Sequence, residues 1–364
     1  MKKITLNIAL AVSLTMVACG AAKEKTVIDT DIIKPVIITE ATLHDTDDPA
    51  IWVNPNDPAQ SMIIGTDKDV DGALYAFDLN GKVIEERTVR GLKRPNNVDI
   101  EYGLVIGNDT VDIAVTGERF THNMRVFALP EMKPIDNGGI PVFEGEEGAE
   151  FRDLMGVALY KRPTDGAIFA IMGRKTGPVD GTYLWQYLLE GTAEGTVKAT
   201  LVRKFGYFSG VKEIEAIAVD NELGFVYYSD ENVGVKKYYA DPEMGNKELA
   251  LFGKSAFLDD NEGISIFDAG NGKGFILVSD QQANQFQIFS REGTVDNPHQ
   301  HELLKTIKVL TNESDGSEIS NVAFNDTFKH GIFVAMSDNR TFQYYKVEDI
   351  LGELLKSKIK NSTL

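Results

Sequence analysis

Cysteine occurs once in this chain, histidine five times and tryptophan twice. The single cysteine, Cys19, excludes an internal disulfide. The histidines are scattered without metal-ligand spacing, which speaks against zinc. Basic side chains are also scarce: 37 Lys and Arg stand against 55 Asp and Glu, a formal charge of −18. Nucleic-acid binding relies on clustered Lys and Arg, so no nucleic-acid partner is expected. Beyond the N-terminus no run approaches the roughly 18 apolar residues of a membrane span. There is no GxSxG elbow and no P-loop, and no nucleophile is visibly paired with a base.

Acid and glycine are abundant. Solubility alone explains many surface carboxylates, but carboxylates also hold hard cations such as Ca²⁺. The 33 glycines suit many tight turns. At the N-terminus, Lys2 and Lys3 precede the mostly apolar run from Ile4 to Val17, which ends at "VACG". Residues 1–19 therefore read as a targeting segment, and Cys19 as the lipid-anchored residue of an exported lipoprotein. Met16 stands where Leu is more usual at such a site, and plain secretion is the alternative. Residues 20–34 read as a tether and 35–364 as the folded domain. Membrane contact is expected only through the anchor, on the periplasmic or cell-surface side, and the protein is expected to be monomeric.

A repeat organises the rest. Six segments begin after a turn, run apolar and end polar: "SMIIGTDKD", "DIAVTGER", "AIFAIMGRK", "GFVYYSDEN", "GFILVSDQQ" and "GIFVAMSDN". Each is preceded by a short apolar piece and followed by an alternating or aromatic one, with a period of about 50 to 60 residues. Several short strands per long repeat predict an all-β fold, a six-bladed β-propeller. Residues 35–43, "PVIITEATL", can supply the strand that closes the ring and removes its exposed edges.

Set in register, the repeats place Asp48, Asn97, Met155, Glu215, Glu262 and Asn321 at the head of each unit's first strand. In a propeller these positions converge on one mouth of the central channel. A second slot, after the next strand, is basic in three units (Lys68, Arg119, Arg174 with Lys175) and acidic in three (Asp230 with Glu231, Asp280, Asp338). Such a rim suits an anion held between cationic side chains and carboxylate-bound metal.

Four stretches, "DTDDPAIWVNP", "PNNVDIEYG", "FVYYSDEN" and "DDNEGISIF", resemble the β-propeller phytases, a calcium-dependent family that releases phosphate from myo-inositol hexakisphosphate. The resemblance covers nearly all of residues 35–364. It implies several Ca²⁺ ions on Asp47, Asp48, Glu215, Glu231, Glu262 and Asp315. It implies phosphate contacts from Lys68, Arg119 and Lys175, with Asp48, Glu215, Lys68 and Arg119 in the catalytic set. Two departures stand out: Met155 replaces a family tyrosine, and "ISNVAF" puts Asn321 in an acidic place, with Glu318 nearby. The expected chemistry is attack of metal-activated water on phosphorus, without a covalent intermediate. Another calcium-dependent propeller hydrolase and a catalytically weakened binding module are the alternatives.

Overall fold

The computed structural model describes residues 32–356. The expected signal segment, Cys19 and most of the tether lie outside them. Ile33 already bridges to Val309.

The described residues form six antiparallel sheets, five of four strands and one of five. The innermost strands are Thr46–Trp52, Pro95–Ile106, Leu154–Lys161, Ile217–Asp220, Asn261–Gly270 and Ser317–Ser320. Each touches the next, and the last touches the first, so the sheets close a ring around a channel. This is the six-bladed propeller that the repeat predicts. Closure is made by a strand from the start of the domain: Ile37–Ile38 pairs antiparallel with Thr341–Lys346, the third strand of blade six. That strand lies within "PVIITEATL".

The hydrophobic core follows from the strand composition. The second strands, such as Met62–Asp67 and Ile332–Ser337, are buried along their whole length. Both of their faces are covered by neighbouring blades, so their sequence runs apolar rather than alternating. The outer strand Val197–Phe205 instead buries only Val197, Arg203 and Phe205 and leaves most of its length to solvent. Six apolar clusters result, one between each pair of adjacent blades. At the seam, Ile63, Tyr75 and Phe77 of blade one pack on Phe342 and Tyr344 of blade six. Gly65 permits this, because a Cβ there would enter the Phe342 ring. Burying each large side chain of this kind contributes about 1.5–3 kcal/mol.

A recurring polar clamp fixes the loops at the mouth. The last residue of the second strand turns away from the channel and holds the loop leading into its own blade. Asp67 accepts from the amides of His44 and Asp45, and Glu118 from that of Lys93. Asp230 accepts from the amide of Ser209, Asp280 from that of Leu258, and Ser337 from that of Asn312. Arg174 occupies the same position with reversed polarity. It is fully buried and donates to the carbonyls of Phe151, Thr182 and Tyr183 and to Glu146. Asp230, Asp280 and Arg174 are therefore structural, which corrects the sequence reading that put them on the rim.

Candidate active site at the channel mouth

Each blade delivers two side chains to the mouth, and the backbone dictates which. At the head of the inner strand the ladder slips: the register shifts between Thr46 and Pro49, Pro95 and Val98, Leu154 and Val157, and Asn261 and Ile264. Such a bulge re-aims the residue inside it. Aligned on the bulge in these four blades, and two residues before the inner strand in blades four and six, the equivalent residues are Asp47, Asn96, Met155, Glu215, Glu262 and Asp315. The head positions read from sequence are thus one residue late in blades one and two, where Asp48 and Asn97 were expected. They are also late in blade six. Asn321 follows that blade's inner strand, is exposed, and donates to the carbonyl of Asp268. Asp315 carries the acid in its place, so Asn321 is no departure at the site.

The second ring lies one residue beyond the clamp: Lys68, Arg119, Lys175, Glu231, Gln281 and Asp338. The geometry is the same in all six blades. Each of these amides donates to a carbonyl of the loop entering its own blade, namely Asp45, Arg94, Asp153, Glu213, Asp260 and Asn312. The rim is therefore basic across blades one to three. It is less acidic than expected across blades four to six, because Gln281 stands where the sequence reading placed an acid.

The two rings meet in three carboxylate groups: Asp47 with Glu215 and Asp315, Glu213 with Glu215 and Glu231, and Glu231 with Asp260 and Glu262. Within each group one oxygen per residue lies within 4.8 Å of the others. Glu215 and Glu231 each belong to two groups, which makes the three a continuous arc. Three lysines lie against it. Lys68 Nζ is 2.6 Å from Asp315 and 3.7 Å from Asp47. Lys175 Nζ is 2.8 Å from Glu213, and Lys212 Nζ is 2.7 Å from Glu231 and 2.6 Å from Asp260. Arg119 is buried, donates from Nε to the Leu154 carbonyl at 3.1 Å, and rests its Nη2 on the Met155 sulfur. The departure at Met155 thus supplies a thioether that packs on the guanidinium and offers no oxygen.

Crowding sets the protonation. Burial first, then Asp47 and Asp315, push Glu215 up to about 8. Burial and Asp315 raise Asp47 to about 6 against the pull of Lys68. Burial raises Glu231 to about 7 against Lys212. Glu262 is raised well above its ordinary value by burial and by Glu215, Glu231 and Asp315. Asp260 behaves differently: against burial, hydrogen bonds from Lys212, Gln282 and Asn232 hold it low. These shifts describe carboxylates short of positive charge.

Asp48 does not join the arc. Its Oδ2 accepts from the Val98 amide at 3.2 Å, and it lines the channel with Asp99 and Glu318. The mouth residues missed from sequence are Asp260, Glu213, Lys212, Gln281 and Asn96. Asp260 and Glu213 carried a usable signal. Each stands two residues before a chosen glutamate, and extended chain puts positions i and i+2 on one face. Lys212, Gln281 and Asn96 carried none.

Comparison with known proteins places the chain in a family. The family model "Phytase" matches residues 3–349. The 3-phytase of Bacillus subtilis (strain 168) is 28% identical over 329 residues, covering 85% of this chain and 81% of that protein. Among solved structures, the Dos1 propeller aligns with a TM-score of 0.41 and 11% identity, over 83% of this chain and 68% of that one. The family match runs through every blade from first to last, and the chain accordingly belongs to the β-propeller phytase family.

Proposed function

We propose that the protein releases phosphate from myo-inositol hexakisphosphate in a calcium-dependent reaction at the channel mouth. The observation that carries this reading is Glu262. Its side chain is 3% exposed, yet its Oε2 has no hydrogen-bond partner, and it belongs to the Glu231–Asp260 group. A buried carboxylate oxygen without a partner is costly unless a cation meets it. Every donor in the arc is oxygen, the set that suits a hard cation with six to eight ligands and irregular geometry. The residues fit Ca²⁺, with Asp47, Glu215 and Asp315 holding one ion and Glu231, Asp260 and Glu262 another. Asp48 lines the channel with Asp99 and Glu318, belongs to none of the three groups and is left out of this ligand set.

When bound, calcium supplies positive charge for phosphoryl oxygens and the Lewis acidity that activates water. The chain's own cations do the rest. Lys68, Arg119 and Lys175 bind and orient the phosphates from the basic half of the rim. Arg119 is fixed before substrate arrives, by Leu154 behind and Met155 beside it, so little ordering remains to be done on binding. A polyanion meets an acidic protein here, so binding depends on the local field at the mouth rather than on net charge.

A panel of phytate, aryl phosphates and lactones tests the substrate class. With calcium present, phosphate release from phytate should dominate. Turnover of lactones or aryl phosphates with phytate untouched would assign the site to another hydrolase. Export and anchoring through Cys19 belong to the same proposal. A Cys19→Ser variant should leave the membrane fraction, and unchanged membrane association would remove the anchor.

A further inference from the structure

Among the described residues, Lys212 lies against the acidic half of the rim without belonging to either ring. It sits in the loop "SGVKEIE" between blades three and four, five residues before the inner strand Ile217–Asp220. Its side chain is 42% exposed, while its partners Glu231 and Asp260 are 1% and 7% exposed. The ammonium therefore reaches inward from solvent to two buried carboxylates that also belong to the group containing Glu262.

We propose that Lys212 is a tethered cation that competes with calcium at the Glu231–Asp260–Glu262 group and, once displaced, becomes a fourth phosphate-binding cation at the mouth. This rests on the calcium reading above. An ion at this group needs the carboxylate charge that Lys212 now neutralises, and Asp260 Oδ2 already accepts from Lys212 at 2.6 Å. Two cations that close repel, so occupancy by one expels the other. The protein side of the group stays in place when the lysine leaves. Asp260 keeps its bonds from Asn232 at 2.7 Å and Gln282 at 2.6 Å. The lysine side chain is 42% exposed, so it has solvent to move into when displaced. Expelled, its charge stays tethered beside Glu231 and Asp260, on the acidic half of the rim. The device keeps the carboxylates neutralised without metal and puts a cation on the acidic half of the rim only when the metal is bound.

Calorimetric calcium binding to the full chain, without substrate, reads the first half of this. Lys212→Ala should tighten one calcium site by about tenfold, because the competitor is gone. Lys212→Arg, which keeps the charge, should remain within about threefold of the natural protein. The second half is read with myo-inositol hexasulfate, a polyanion that cannot lose phosphate. At saturating calcium, its affinity should fall several-fold in Lys212→Ala and recover in Lys212→Arg. These opposite signs separate the proposal from simple damage, which would weaken both ligands. Unchanged or weaker calcium binding in Lys212→Ala overturns the competition. Unchanged hexasulfate affinity overturns the fourth-cation role. No calcium binding by the natural protein overturns the calcium reading itself.

Discussion

Glu215→Gln should lower phosphate release from phytate by on the order of 10³-fold and weaken calcium binding at more than one site. The effect is large because Glu215, like Glu231, lies where two carboxylate groups overlap, with Asp47 and Asp315 on one side and Glu213 and Glu231 on the other. Glutamine keeps the shape and removes the charge, so packing is preserved while one oxygen ceases to be an anionic ligand. The fold should survive. Burial already raises this carboxyl to about 8, so removing its charge relieves a cost in the metal-free protein. Steady-state kinetics with calorimetry and a thermal melt check all three points. A variant with natural turnover would show that the arc is not where the reaction happens.

The second large effect is on stability, and its sign differs from that of common acid denaturation. Asp47, Glu231 and Glu215 have native values near 6, 7 and 8, each above the ordinary value for its type. The native state therefore binds more protons than the unfolded chain between about pH 4 and 8, and stability without metal falls as pH rises through that range. A shift of about two units, as at Asp47, corresponds to about 3 kcal/mol. For a domain of this size that is roughly 5 °C or more in Tm. Calcium needs the carboxylates ionised and should release protons on binding, so its stabilisation should grow over the same range. Melts in chelator should drop from pH 5 to pH 8, and melts in excess calcium should not. A chelated protein that becomes more stable across this interval would mean that the acids are not crowded as described.

The fold was legible because its signals repeat. Buried second strands such as "GFILVSD" and "GIFVAMSD" read as continuous apolar runs in six copies, and turn residues mark each period. The closing strand was also readable, since "PVIITEATL" had no blade of its own. The mouth was harder to read, for a local reason. A bulge at the head of the inner strand breaks the two-residue alternation, so counting back from "PAIWV" reaches Asp48 where the backbone presents Asp47. The same slip turned Asn96 into Asn97. In blade six "ISNVAF" looked like a strand head, whereas Ser317–Ser320 is already the strand. The clamp was invisible for a different reason. In "SDEN" and "SDQQ" two adjacent polar residues diverge, the first to hold a loop and the second to face the channel, and composition does not distinguish them. Lys212 lay in a loop whose side-chain direction no periodicity fixes.

The function proposed for this protein is hydrolysis of phytate by a calcium-filled carboxylate arc beside a basic half-rim. The most direct measurement is phosphate release from phytate by the purified protein, titrated with calcium after complete chelation. No release in chelator and recovery on adding calcium are the expected results. Release that is equal in chelator and in calcium, or absent in both, would contradict that function.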